Sequence, residues 1–442
     1  MDALRASAHN EKVHWGGEQA ETEDRTAFLK RLSEHSEVPV NEALFSSVTM
    51  EEWKALFKLS ASHKVLPLVY NVAYDCPVFI EASRDETVGP FIKNISRAAI
   101  REIMLQTLKT DSFRKLYEFL EERNVHPIVV KGLVLRNLYP NGDQRPSTDE
   151  DILIPALEWK TAIAALQEFG MEPMGKWDET DFEIGWQKEA LYVELHQSLF
   201  SPDSEYGKIF APYFEDAPNR AVSVTVVTGG INSAMANEGF TVNTFAPEDH
   251  LLYLLTHAWK HFVHSGFGIR QVMDIGLFGA FYGSEINWDA LRKKCEELNI
   301  VRFAEAIFGI ARNYLGITAL RITEFARSTD EYPMLKDMLI GGLYGTSSKS
   351  RLHSSTITLN KVEAARNNKK STFLKSAFPP AEKLRDAYPE LEKHPVLLPV
   401  VWVKRIIRYR KETRNENNDK TTETLRIASE RTKLLKLYGI IK

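Results

Sequence analysis

Three acids stand together in RPSTDEDILI, residues 145–154: Asp149, Glu150 and Asp151. Carboxylates repel one another, and strands disfavour Asp and Glu, yet these abut the apolar run Ile152–Ile154. On a strand, residues two apart share a face, so Asp149 and Asp151 point one way and Glu150 the other. Two carboxylates about 6–7 Å apart on one face can clamp one or two Mg2+ ions. The segment ALYVELHQSL (190–199) alternates, with Leu191, Val193 and Leu195 on one face and Tyr192, Glu194 and His196 on the other. If that strand neighbours the first, Glu194 becomes a third ligand. Three converging acids destabilise a fold unless a cation sits among them, and hard oxygen ligands suit Mg2+ or Mn2+. Acids at a strand's start after a Ser-Thr turn are also a common feature of surfaces, so spacing by itself leaves both readings open.

The histidines carry a second pattern. His257 and His261 in THAWKHFVH are four apart, a spacing seen at zinc sites. No glutamate of an HExxH motif lies between them and no cysteine partner is evident, so they are expected to pack against the core or, with Lys260, to line a cleft facing the acidic strands. His196, on the face of Glu194, is a candidate to support a ligand or touch substrate. Asp274 in QVMDIGL is expected to orient Lys260 or Arg270.

These residues need elements to position them. HPIVVKG (126–132) is short, β-branched and ends in glycine, the pattern of a buried strand. LVLRNLYP reads as a short helix stopped by Pro140, NGDQRPS as a loop and DILI as a second strand. Residues 157–170 form a helix with Gly170 as its C-terminal cap, and SVTVVTGG and GFTVNTF (222–245) add strands. Before the strands, residues 26–75 and 91–123 read as helical, with one stripe of Ile100, Ile103, Met104 and Leu108 and another of Phe113, Leu116, Tyr117 and Leu120. After them, PEDHLLYLLTHAWKHF opens on proline and acids, both favourable at a helix N-terminus.

The whole is an α+β chain. A small mixed-sheet core at 96–245 follows a tail (1–25) and an N-terminal helical region (26–95). A helical domain (246–330), a Gly/Ser/Thr/Lys-rich connector (331–380) and a basic helical segment (381–442) complete it.

The totals narrow the class. The 442 residues are 43% hydrophobic and 26% charged, with a net charge of −4, so the whole molecule is no obvious polyanion binder. Two cysteines, Cys76 and Cys295, lie far apart, which argues against a disulfide framework and fits a reducing cytoplasm. The polar opening residues lack the apolar region of a secretory signal, and the longest apolar run, PVLLPVVWV (395–403), is too short to span a bilayer.

The order of these motifs resembles a known family. VVKGLVLRNLYPNGDQRPSTDEDILI is similar to the signature of the nucleotidyltransferase superfamily, the DNA polymerase beta-like group: glycine after a strand, a helix, then Asp-x-Asp on the next strand. More narrowly it resembles the bacterial group labelled uncharacterised nucleotidyltransferase, as do VELHQSL, PEDHLLYLLTHAWKH with Asp274, and AYPELEKHPVLLPVVWVKRI. The likeness runs from about residue 45 to 410.

It implies a nucleotidyltransferase-like core and a reaction that moves a nucleoside monophosphate from an NTP to an acceptor hydroxyl, with two divalent ions, Mg2+ or Mn2+. Asp149 and Asp151 would hold both metals. Glu194 would bind one of them and could act as general base. Gly132 would let a helix N-terminus approach the phosphates, and Lys131 and Arg145 would supply charge to them. His196 and Lys260 complete the expected nucleotide-binding set. The acceptor is a small molecule, a protein or a nucleic acid.

The chain departs from the superfamily pattern at Leu133, which lacks a hydroxyl, at Glu150, where the pattern is apolar, and at Glu194, where Asp is usual. Leu133 and Glu150 support an alternative: a non-catalytic nucleotide-binding or interaction module on the same fold.

The stretch 401–442 holds 12 Lys and Arg against 5 Asp and Glu, about +7, leaving the rest near −11. KRIIRYRKETR could bind RNA phosphates or acidic lipids. The reading adopted is a solvated amphipathic helix packed on the domain.

Overall fold

The computed structural model describes residues 49–441 except 75–76, 140, 205, 228–238, 265, 328, 343–350, 352–353, 355–356, 360, 363–377, 385–387, 389 and 414–419. The expected tail, the segment 26–48, Cys76 and most of the connector lie outside the described residues. The chain divides into two compact units, residues up to 258 with 268–335, and residues 259–267 with 336–442.

In the first unit, α1 (Met50–Ser62), α2 (Leu66–Tyr74) and α3 (Pro77–Ala82) precede α4 (Gly89–Glu121). Thr49 and Glu52 form a reciprocal capping box that fixes the start of α1. The 33-residue α4 buries Phe113, Leu116, Tyr117 and Leu120, as the spacing predicts. The other stripe differs from expectation: Ile100, Met104 and Leu108 are 48%, 61% and 59% exposed. The sheet's core cluster meets α4 only from Phe113 onward, so helical period by itself does not decide what is covered.

The strands are β1 (Ile128–Val130), β2 (Glu150–Leu153), β3 (Glu172–Pro173), β4 (Glu183–Lys188), β5 (Leu191–His196), β6 (Val222–Val227) and β7 (Gly239–Thr244). Among the described residues they form one mixed seven-stranded sheet in the order β3-β4-β5-β2-β1-β7-β6. β2 runs parallel to β5 and β1 parallel to β7, and the other neighbours are antiparallel. β4 and β5 form a tight hairpin in which Lys188 pairs with Leu191 and Glu189, between them, takes φ 52°. The expected strands at 128, 150, 191, 222 and 239 are all present, while β3 and β4 were not anticipated.

Short α5 (Gly132–Arg136) links β1 to β2, and α6 (Trp159–Glu168) follows β2, with Gly170 at φ 84° just past its end. α7 (Pro247–His264), α8 (Ile269–Phe281), α9 (Trp288–Glu297) and α10 (Val301–Leu315) follow the last strand. Among the described residues no helix is long and apolar enough to cross a membrane.

In the second unit, α11 (Leu398–Thr413) and α12 (Lys420–Leu437) occupy the basic segment. Val401 of α11 is buried with Leu384 and Leu391, and Trp402 packs against them. The opposite side of α11 exposes the apolar Val400, Val403 and Ile407, rather than the charged, solvated face expected of this helix. Arg431 is buried against Asp337, 2.6 Å away, and Arg351 reaches the same carboxylate at 2.7 Å. Arg431 also donates to the Phe262 carbonyl.

Candidate active site

The centre of the sheet brings the acids together. β2 and β5 are parallel neighbours, and the register sets Asp151 beside Glu194 and Leu153 beside His196. Asp151 Oδ1 lies 3.2 Å from His196 Nε2, and Glu194 Oε2 lies 3.7 Å from the same nitrogen. Ligand atoms of Asp151, Glu194 and His196 all fall within 4.8 Å of one another, as a cation site requires. Asp149 lies just outside β2, half-buried and outside that group, but its charge reaches Glu194.

The electrostatics follow from burial and crowding. Burial, then the neighbouring charges of Asp151 and Asp149, push the Glu194 carboxyl up to about 7. Burial acts the same way on Asp151, but Lys131 and His196 outweigh it and hold that carboxyl well below the usual range. Lys131 Nζ is 2.8 Å from Asp151 Oδ2 and 3.3 Å from His257 Nε2. Burial opposes its charge, yet Asp151 and Asp149 keep the ammonium more basic than an ordinary lysine. His257 thus reaches the acidic strands through Lys131. Lys260, farther along α7, is half-buried and belongs to the second unit.

Lys131 sits at a sharp exit from β1, with φ 62° and ψ −133°. A non-glycine residue there costs on the order of 1–3 kcal/mol and persists only when its surroundings fix it. The fixing residue is His250, which sequence reasoning missed. Its Nε2 accepts the Lys131 N–H at 3.3 Å, and its Nδ1 is 3.2 Å from Thr244 Oγ1. Thr244 Oγ1 donates to the Val129 carbonyl, so it accepts from Nδ1–H, and this sets the tautomer. Burial holds the ring neutral, its pKa pushed down to about 3.

Glu150 points away from the cluster, as strand alternation predicts, and into the turn behind it. Its Oε2 accepts the Leu133 N–H at 2.7 Å, and its Oε1 meets Arg136 at 2.6 Å. A Cβ at Gly132 would sit 2.0 Å from that Oε2, and Gly132 has φ 25°. The glycine clears space for Glu150, whose carboxylate sits at the start of α5. Arg145, expected among the phosphate-binding groups, is also committed elsewhere. Its Nε and Nη2 each donate to Asp274 at 2.7 Å, and its Nη1 reaches the Gly132 carbonyl. A buried guanidinium needs such a carboxylate, and bidentate geometry satisfies both partners. Asp274 thus orients Arg145 and the Tyr139 hydroxyl, while Arg270 donates to the Pro146 carbonyl.

The donor set fits a cation by a further observation. His196 is 4% exposed, and its Nδ1 has no hydrogen-bond partner. Glu183 Oε2, brought alongside by the β4–β5 register, is 3.7 Å from that nitrogen. A ring whose Nε2 serves a cation carries its proton on Nδ1, facing this carboxylate.

Acids meeting on neighbouring parallel strands, beside a strand–turn–helix exit, give the sheet a nucleotidyltransferase-like fold. Residues 49–316, more than half of the chain, match the family described as uncharacterised nucleotidyltransferase, and the chain belongs to that family. No curated protein and no solved structure matches it.

Proposed function

We propose that the chain transfers a nucleoside monophosphate from an NTP to an acceptor hydroxyl with the help of Mg2+ or Mn2+. The observation that carries this reading is the parallel register seating Asp151 beside Glu194 in a member of a nucleotidyltransferase family. Asp151, Glu194 and His196 would hold the ion, which when bound neutralises triphosphate charge and acidifies the attacking hydroxyl. Asp149 extends the acidic floor beside them. Glu194, at the edge of this cluster, is placed to take the acceptor's proton. Lys131 supplies fixed positive charge at the edge of the cluster. The acceptor is a small molecule, a protein hydroxyl or a nucleic acid.

One observation favours a second reading, a non-catalytic nucleotide-binding module: Glu150 closes the Leu133 amide to phosphate. Incubation with each labelled NTP, Mg2+ or Mn2+ and a cleared lysate separates the two. The transferase reading expects labelled product with pyrophosphate, and loss of both in Asp151→Asn with Glu194→Gln. Transfer that survives the double substitution overturns the site; nucleotide binding without transfer supports the module.

A further inference from the structure

Asp151 presents its two oxygens to different partners. Oδ2 takes the Lys131 ammonium at 2.8 Å, whereas Oδ1 opens toward His196 Nε2 and Glu194. Lys131 is no surface lysine that happens to reach inward. Its side chain is 15% exposed, its backbone is held in a strained conformation by His250, and Nζ also contacts His257. The ammonium stands where a second divalent ion bridged by Asp151 would have to stand, and two cations cannot share that oxygen without strong repulsion.

On the other side, the donors are mixed oxygen and nitrogen. Moving the His196 proton from Nε2 to Nδ1 frees the Nε2 lone pair toward Asp151 and Glu194. It also gives the unpartnered Nδ1 a hydrogen to offer Glu183, 3.7 Å away.

Resting on the transferase reading, we infer that the site takes a single divalent ion on Asp151 Oδ1, Glu194 and His196 Nε2, with the Lys131 ammonium as the second cation. An imidazole ligand favours Mn2+ over Mg2+, which takes oxygen.

The test titrates Mn2+ into the full chain, counts bound ions by equilibrium dialysis and examines the loaded protein by pulsed electron paramagnetic resonance. The expected result is one Mn2+ per chain, with a nitrogen coupling that disappears in His196→Gln, and no spin-coupled Mn2+ pair when a non-hydrolysable ATP analogue is added. Lys131→Met, which removes the charge and keeps the length, is expected to admit a second, spin-coupled Mn2+. A coupled pair in the unaltered protein, or a nitrogen coupling unchanged in His196→Gln, overturns the inference and leaves the transferase reading standing. A folded Lys131→Met variant that still holds one ion overturns the role of Lys131. Failure to bind any Mn2+ overturns both readings.

Discussion

The carboxylate of Glu150 is 1% exposed and closes two bonds at once, to the Leu133 amide and to Arg136. Arg136 also donates to the Thr110 hydroxyl at 2.6 Å, so its guanidinium is held on two sides. Glu150→Ala would leave that guanidinium buried without an anion and the amide without an acceptor. The expected cost is about 3–5 kcal/mol, measured by urea unfolding. Glu150→Gln keeps an acceptor for Leu133 and is expected to lose less. A change in Glu150→Ala within about 0.5 kcal/mol, the range of an ordinary surface substitution, would show that the pair contributes nothing net. Asp151 and Glu150, adjacent in sequence, are therefore divided by strand face: one meets Glu194 and His196, the other the turn at the start of α5.

At the level of elements, much of the site was legible because strand alternation is a strong signal. It predicted that Asp151 and Glu194 would lie on polar faces, and the register makes them neighbours. It could not supply partners from distant segments. Arg145 carries a charge that suits phosphate equally well, and only the approach of α8 shows that Asp274 claims it. His250 on α7 carries no signal of its own in the sequence, because its importance depends on the backbone of Lys131, more than a hundred residues earlier. β4 was missed because EIGWQK offers only Ile184 and Trp186 to the core, with Gly185 between them. That glycine has a packing reason: a Cβ there would meet the Tyr192 hydroxyl at 2.5 Å, and Tyr192 donates to Glu194 at 3.3 Å. The Ile100 stripe failed for the opposite reason, since periodicity identifies a face but not what covers it.

For the molecule as a whole, one response to pH comes from His250. The unfolded chain protonates this ring below about pH 6.5, whereas the folded protein resists until about pH 3. The unfolded state therefore binds more protons across that interval, and stability falls as pH drops through it, by up to about 1.4 kcal/mol per unit from this group. Glu194, raised to about 7, contributes the opposite slope between about pH 7 and 4.5, so the His250 contribution is read by difference: in urea unfolding from pH 7 to 4, His250→Asn is expected to lose less stability than the unaltered protein. An identical slope in the variant would place the acid sensitivity elsewhere.

The parallel pairing of β2 with β5 also orders events in time. Asp151 and Glu194 lie roughly forty residues apart in the chain, with β3 and the β4–β5 hairpin closing later in sequence than β2. A hairpin with a two-residue connection forms locally, within about 1–10 μs, whereas a parallel non-local pair must wait for a large loop to close. The cluster of Asp151, Glu194 and His196 is thus a late product of folding, absent until β5 docks, and a divalent ion that binds there would not nucleate the sheet. In pulse-labelling hydrogen exchange, β4–β5 amides are expected to gain protection before the β2 amides that bond to β5 rather than to β1, at the same rate with or without Mn2+. Protection of those β2 amides first, or acceleration by Mn2+, would reverse that order.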